Sequence, residues 1–298
     1  MKKLYVLPVV MALSAIVPAS ATPLFGTDLA KFSIVSGGYS SYGASAAVTG
    51  EVGAVQYVTA GNGGTSGGDY VNSTNVTSAL SQLSAAQDAL NRMQTTVTLS
   101  PTVSGILDLA PGVYSASALT TAAGTVVNLN GGGLANPVWV FNIPTYLVTG
   151  ADTKINIINA GANASVIWNT GEYVAMGGYT SFIGALISGQ YVSQGAGADF
   201  ACGSVFAASY VSVAAGSSIV STNCKGNDTW AGSVMGLGAS LDIVDGVAVA
   251  QVVADTTAPA ETVPAPATST DIPEPGSISM LLAGLGLMGF LRFSKKSA

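Results

Sequence analysis

A short phrase built on tyrosine recurs through the second half of the chain and restricts the fold more than any other feature. Tyr146-Leu147-Val148 is echoed by Tyr173-Val174-Ala175, Tyr191-Val192-Ser193 and Tyr210-Val211-Ser212, at intervals of 27, 18 and 19 residues. Each phrase runs into a turn of small residues: Gly150-Ala151, Gly177-Gly178, Gly195-Ala196 and Ala215-Gly216. A second echo links Phe182 to Ile187 with Ala201 to Phe206, and Ala118-Leu119-Thr120-Thr121 is an earlier, weaker copy of the first. Such a period suits one coil of a solenoid, in which three short strands are joined by tight turns and successive coils pair at about 4.8 Å. Strand alternation then sends Val174, Val192 and Val211 inward and the flanking tyrosines and small residues outward. A two-sheet sandwich would need hairpin signals instead of a coil-length repeat. The expected class is mainly β, a β-helix (solenoid).

The one helical signal lies upstream, between Thr74 and Arg92. Val76, Leu80, Leu83, Ala86 and Leu90 recur at helical spacing, Ser73 or Asn75 can cap the start, and Gln82, Gln87 and Asn91 fall elsewhere on the surface. The stripe is narrow and suits packing alongside something flat. Gly131-Gly132-Gly133 reads as a turn between coils, since no helix and lysine follow it to cradle phosphate.

The ends carry addresses. Lys2 and Lys3, an apolar run to about Val17 and the small residues Ala19-Ser20-Ala21 predict a signal peptide over residues 1–21, with a mature start at Thr22. At the other end Pro273-Glu274-Pro275, an apolar stretch from Ile278 to Leu291 and the basic Arg292, Lys295 and Lys296 fill residues 273–298. That order resembles the PEP-CTERM sorting signal of Gram-negative bacteria. The resemblance implies recognition by an exosortase, only transient membrane contact through this segment, and delivery outside the cell or to its surface. Between these ends the reading places the solenoid at 22–224, a cap or extra strand at 225–254 (Trp230 and the apolar run Val244 to Val253), and a Pro/Ala/Thr-rich linker at 255–272.

Composition excludes several functions. From Thr22 to Thr270 four basic residues face thirteen acidic ones, a net charge of −9, which repels nucleic acid and leaves no basic patch for it. There is no histidine, so neither a Ser-His-Asp or Cys-His arrangement nor a His-containing zinc site is available. Asp152, Glu172 and Asp199 stand at different places relative to the tyrosine phrases, so no acidic row forms, and Asp242 and Asp245 lack the ligand density of a calcium loop. The reading is a protein without catalysis, cofactor or metal. Cys202 and Cys224, the only cysteines, favour one disulfide in an oxidising compartment over two buried thiols; it would contribute roughly 3 kcal/mol.

Seven segments stand out: Leu109 to Tyr114, with its Pro-Gly-Val-Tyr ending, Val138 to Ile143, Val166 to Asn169, Ser181 to Ser188, Gly203 to Ala207 and, near the mature start, Phe32 to Gly37 and Val48 to Gly53. Together they resemble the ice-binding family. The similarity runs from about Leu24 to Asn223. It implies a right-handed β-solenoid with one long α-helix packed alongside, and adsorption to ice through a flat, weakly charged face of small residues. The candidates on that face are Thr120, Thr149, Ala175, Ser193 and Ser212, with Val148 at the first strong coil. The departure from the family pattern is the row Tyr146, Tyr173, Tyr191 and Tyr210, where small residues are more usual. Stacked tyrosines stabilise a sheet by contact between coils. Exposed, they would suit sugar rings, so an adhesin holding exopolysaccharide or a protein partner is the alternative to ice.

Overall fold

The computed structural model describes residues 22–59, 67–161, 163–221 and 241–250. The chain divides by its contacts into Met1–Ala254 and Asp255–Ala298, and the second unit lies outside the described residues, as do the signal peptide expected over residues 1–21, Lys225 to Ser240 and Pro273-Glu274-Pro275.

Three parallel sheets of nine, eight and seven strands form the sides of a β-solenoid. One coil takes a strand from each in turn: Val174–Met176 in the eight-stranded sheet, Ser181–Ile183 in the seven-stranded sheet and Ala185–Ser188 in the nine-stranded sheet. The eighteen-residue period is therefore a coil. The 27-residue interval between Tyr146 and Tyr173 is a coil whose strands lengthen to Lys154–Ile158 and Ser165–Thr170.

Chain order and stacking order differ. The coil that ends in Val205–Ala207, Val211–Val213 and Ser218–Val220 pairs in parallel with Phe32–Ser36, Tyr39–Tyr42 and Ala47–Thr49 on all three sides. The N-terminal coils thus extend the C-terminal ones, and Glu51–Ala54, Tyr57–Thr59 and Asp69–Val71 continue the stack outward. The helix Thr74–Asn91 then carries the chain back along the nine-stranded sheet, and Val97–Thr98 begins the opposite end.

The core is a column of inward side chains. Tyr114, Phe141 and Trp168 stack in sequence with centroids 5.2 and 3.8 Å apart, and Phe182 and Phe200 continue at 5.0 and 4.9 Å. Both buried indoles find acceptors: Trp139 Nε1 donates to the Leu109 carbonyl and Trp168 Nε1 to that of Ile183, each at 3.0 Å. Parallel strands covered on both faces read as apolar runs, and the nine-stranded sheet shows it. Its inward Trp139, Phe141, Val166, Trp168 and Leu186 fill the column, while Val140, Ile167, Ala185, Ile187 and Phe206 pack under the helix.

Ser73 caps the helix, its Oγ accepting from Val76 N at 3.2 Å. The buried side holds Val76, Ala79, Leu83, Ala86, Ala89 and Leu90, with Leu80 only partly covered. The glutamines and asparagine expected on the free surface instead fasten the helix to its neighbours. Gln82 Oε1 accepts from Leu29 N at 2.9 Å, and Gln87 Nε2 donates to the Thr170 carbonyl at 2.9 Å. Near the helix C-terminus Asn142 Nδ2 donates to the Leu90 carbonyl at 2.7 Å, and Asn169 Nδ2 donates to Asn91 and Asn142 Oδ1 at 2.8 and 2.9 Å. A flank that meets strand edges needs donors and acceptors, a requirement that apolar spacing alone does not register.

Leu241–Val244 and Val247–Ala250 form an antiparallel hairpin that pairs with Thr22–Pro23. Leu241 and Ala248 bury with the helix cluster, so this hairpin covers the helix side and pairs with none of the solenoid strands. Cys202 is buried and disulfide-bonded; Cys224 lies outside the described residues.

The aromatic column sets the largest single stability effect. Trp168→Ala opens a cavity beneath both Phe141 and Phe182 and is expected to cost about 3–5 kcal/mol in a urea titration. A loss below about 1 kcal/mol would mean that the column relaxes around the gap.

Candidate functional site

Among the described residues the helix, with the hairpin beside it, covers the nine-stranded sheet, and nothing packs on the outside of the other two. They differ in chemistry. The outward rows of the seven-stranded sheet mix Ile106, Val126, Lys154, Ser181, Asp199 and Ser218 in one register, with Asp108, Asn128 and Asn156 alongside. This side is uneven and carries charge. Asn128 Nδ2 donates to Asp108 Oδ1 at 2.8 Å, a ladder contact between coils.

The eight-stranded sheet carries no charge on its outward rows. Pairing aligns Thr102, Thr120, Val148, Ala175, Ser193, Ser212, Ser41 and Thr59. At about 4.8 Å per coil the row is about 34 Å long. Two residues earlier on six of these strands stands a tyrosine, in the order Tyr146, Tyr173, Tyr191, Tyr210, Tyr39, Tyr57. Successive ring centroids lie 5.3, 5.2, 4.8, 4.9 and 5.1 Å apart, with interplanar angles between 1° and 16°. Beyond the small row the strands enter corners of Gly and Ala, where coils approach closely. A Cβ on Gly150 would stand 2.5 Å from Ala123 N, and one on Gly177 2.5 Å from Ala151 N.

Of the predicted face residues Thr120, Ala175, Ser193 and Ser212 lie in the outward row, together with Val148. Thr149 does not. It is 3% exposed, its hydroxyl lies 3.0 Å from Thr180 Oγ1, and it accepts the Gly177 N–H at 3.1 Å. A tight corner turns backbone N–H groups inward, where they need an acceptor. Thr121 has the same role in the preceding coil, 2.8 Å from Thr153 Oγ1 and accepting from Gly150 N. Thr149 therefore belongs to the inside of the corner and drops out of the face.

The sequence reading missed Tyr39, Tyr57, Thr102, Ser41 and Thr59. Tyr39-Ser40-Ser41 and Tyr57-Val58-Thr59 carry the tyrosine phrase eighteen residues apart, which was the available signal. Their place next to Tyr210 follows only once the N-terminal coils are seen to stack on the last ones.

Stacking changes what the tyrosines offer. Each of the four interior rings has both faces covered by neighbours, so the row presents ring edges and hydroxyls. Burial raises the Tyr210 hydroxyl above its usual 10.0, helped by the neighbouring Tyr191 and Tyr39 hydroxyls, which resist a nearby anion. Among the described residues no group of three or more His, Cys, Asp or Glu could hold a metal ion, and no helix is long and apolar enough to cross a membrane.

A parallel β-solenoid with one helix alongside defines the fold class, and the comparisons give the family. The chain belongs to the Ice-binding-like family, whose model matches residues 21–219, and a PEP-CTERM protein-sorting motif matches residues 271–296. The solved ice-binding protein of the Antarctic ascomycete Antarctomyces psychrotrophicus superposes with a TM-score of 0.61 at 25% identity, covering 70% of this chain and 100% of that one. An ice-binding protein from an Antarctic biological consortium gives 0.61 at 20% identity over 67% and 91% of the two chains. The DUF3494 domain of an ice-binding protein from Shewanella frigidimarina gives 0.58 at 22% over 68% and 98%. No curated protein matches significantly.

Two outcomes check the ladder. Tyr191→Ala, which loses two stacking partners, is expected to cost about twice as much stability as Tyr57→Ala, which loses one, at about 0.5–1.5 kcal/mol per pair. Equal losses in side-by-side melts would show that the stacking adds nothing. Because the Tyr210 hydroxyl is raised in the folded state, its contribution to stability is complete below pH 10 and is lost as pH climbs through the raised value. The thermal midpoint should therefore fall above pH 10, less steeply in Tyr210→Phe.

Proposed function

We propose that this protein is exported and adsorbs to ice through the eight-stranded side of its solenoid. The observation that carries the reading is the aligned row from Thr102 to Thr59, eight small or β-branched side chains without a charge, on the one bare side that is even. Backbone pairing holds their spacing, and at the corners neighbouring coils lie too close to admit a Cβ at Gly150 or Gly177. A rigid plane has little conformational entropy left to lose on contact, so weak individual methyl and hydroxyl contacts with an ordered water layer add up. The tyrosine hydroxyls extend that plane with a second regular row. Family membership supports the reading, as do solved relatives that are themselves ice-binding proteins. The matched sorting motif supports export and exosortase handling, and the predicted leader is consistent with it.

The adhesin alternative, with exopolysaccharide stacked on the tyrosine row, is less well supported by the geometry. A sugar needs an open ring face, and the interior tyrosines have none. Only the outer faces of Tyr146 and Tyr57, at the ends of the row, are free of a stacked tyrosine.

Placing charge in the centre of the plane tests the proposal. Ala175→Glu and Ser193→Lys should each abolish faceting of ice crystals and most thermal hysteresis in a nanolitre osmometer. Ser218→Lys, on the seven-stranded side, should leave both intact. Round, unshaped crystals with the unaltered protein would refute ice adsorption; loss with Ser218→Lys alone would move it to the other side.

A further inference from the structure

Among the described residues, the corner after Thr102–Val103 has Gly105 (φ 74) in the left-handed region, and the corners after the next six strands of the eight-stranded sheet each hold one such residue. Down the stack these are Gly124 (φ 71), Asp152 (φ 57), Tyr179 (φ 58), Gly197 (φ 66), Gly216 (φ 69) and Ser45 (φ 58). Glycine meets this demand without cost, and aspartate and serine are short polar side chains; a bulky tyrosine there is strained. Tyr179 is nonetheless 70% exposed. Its ring lies on Gly197, where a Cβ would approach ring carbons to 2.7 and 2.8 Å, so the chain keeps the next corner bare beneath it. Among the described residues no other ring pairs with it. Tyr179 therefore differs from the six ladder tyrosines: one face rests on backbone and the other is open to solvent.

Polar residues hold the register positions next to that corner on the seven-stranded side. Asp152 occupies the same corner position one coil away, and Lys154, Ser181 and Asp199 align in the outward row two residues beyond. Asp152, Lys154 and Asp199 are exposed, Asp199 accepts from Ser218 Oγ at 2.8 Å, and the one ion pair among the described residues is Lys31–Asp28. Lys154 is thus not tied to either carboxylate. An open aromatic face with carboxylates, an ammonium and a hydroxyl in the neighbouring register positions suits a saccharide ring, which presents an apolar C–H face to the aromatic and hydroxyls around its rim.

We infer that Tyr179 is the platform of a saccharide-binding site at this corner, separate from the ice-facing rows, and that it takes a neutral sugar unit of a polysaccharide. Two carboxylates against one ammonium disfavour an anionic sugar. The strain at Tyr179 persists because a ring is needed at a place where its neighbours show that glycine would serve the fold.

Affinity electrophoresis of the purified protein through gels containing laminarin, mannan, hydroxyethyl cellulose or alginate tests this, with Tyr179→Gly and Tyr179→Trp alongside. Retardation is expected in at least one neutral polysaccharide and not in alginate. Tyr179→Trp should keep it, and Tyr179→Gly should weaken it by about tenfold in Kd, the loss of one ring contact. Since glycine relieves the strain, the thermal midpoint of Tyr179→Gly should be unchanged or higher, and its ice shaping should be retained. The proposal is overturned by absent retardation in all three neutral gels, by equal retardation of Tyr179→Gly, or by a glycine variant that is destabilised yet still binds. Ice shaping reads the other face independently, so either reading can fail alone.

Discussion

Parallel backbone pairing between coils is the constraint from which the other features follow. It fixes the rise from coil to coil and, through strand alternation, decides which side chain of every strand meets the core. Val174, Val192 and Val211 go in; Ala175, Ser193 and Ser212 come out; the tyrosine before each must stack on its neighbour. A change of one residue in a strand would reverse the whole coil. The flat row is therefore a consequence of register.

The seam between the coil ending at Val220 and the one beginning at Phe32 shows how strong this constraint is. Strands separated by most of the domain's sequence pair on all three sides, and rows continue across without a step: Ser212 beside Ser41, Tyr210 beside Tyr39 at 4.9 Å. The helix makes this possible by carrying the chain back along one side. In doing so it covers the nine-stranded sheet, while among the described residues nothing covers the other two.

Much of this is legible in the residues. The tyrosine phrase sets the coil length, and alternation sets the orientation of Val174 and Ala175. The apolar stripe places the helix to within a residue of its observed bounds, Thr74–Asn91. What sequence periodicity does not convey is spatial order. A repeat read along the chain cannot reveal that the first coils stack on the last, so the place of Tyr39 and Tyr57 in the row stays hidden. Nor does periodicity register hydrogen-bond demand. A hydroxyl suited to a face argues for Thr149 outward, whereas the corner needs an inward acceptor for Gly177 N–H. By spacing alone Gln82, Gln87 and Asn91 belong to the surface; in the fold they are fasteners, for the same reason. Nothing in the composition singles out Tyr179, because backbone strain at one corner has no signature there.

The two sides that the helix does not cover differ in charge and shape. Coherence over many coils suits a lattice, which rewards repetition; a single exposed ring among mixed polar groups suits one sugar unit. The most direct test of the central claim is fluorescence imaging of an ice hemisphere grown slowly in a solution of the labelled protein. The account predicts label incorporated into the ice on defined crystal planes, with Ser193→Lys excluded. Label swept uniformly into the liquid ahead of the growing front would contradict it.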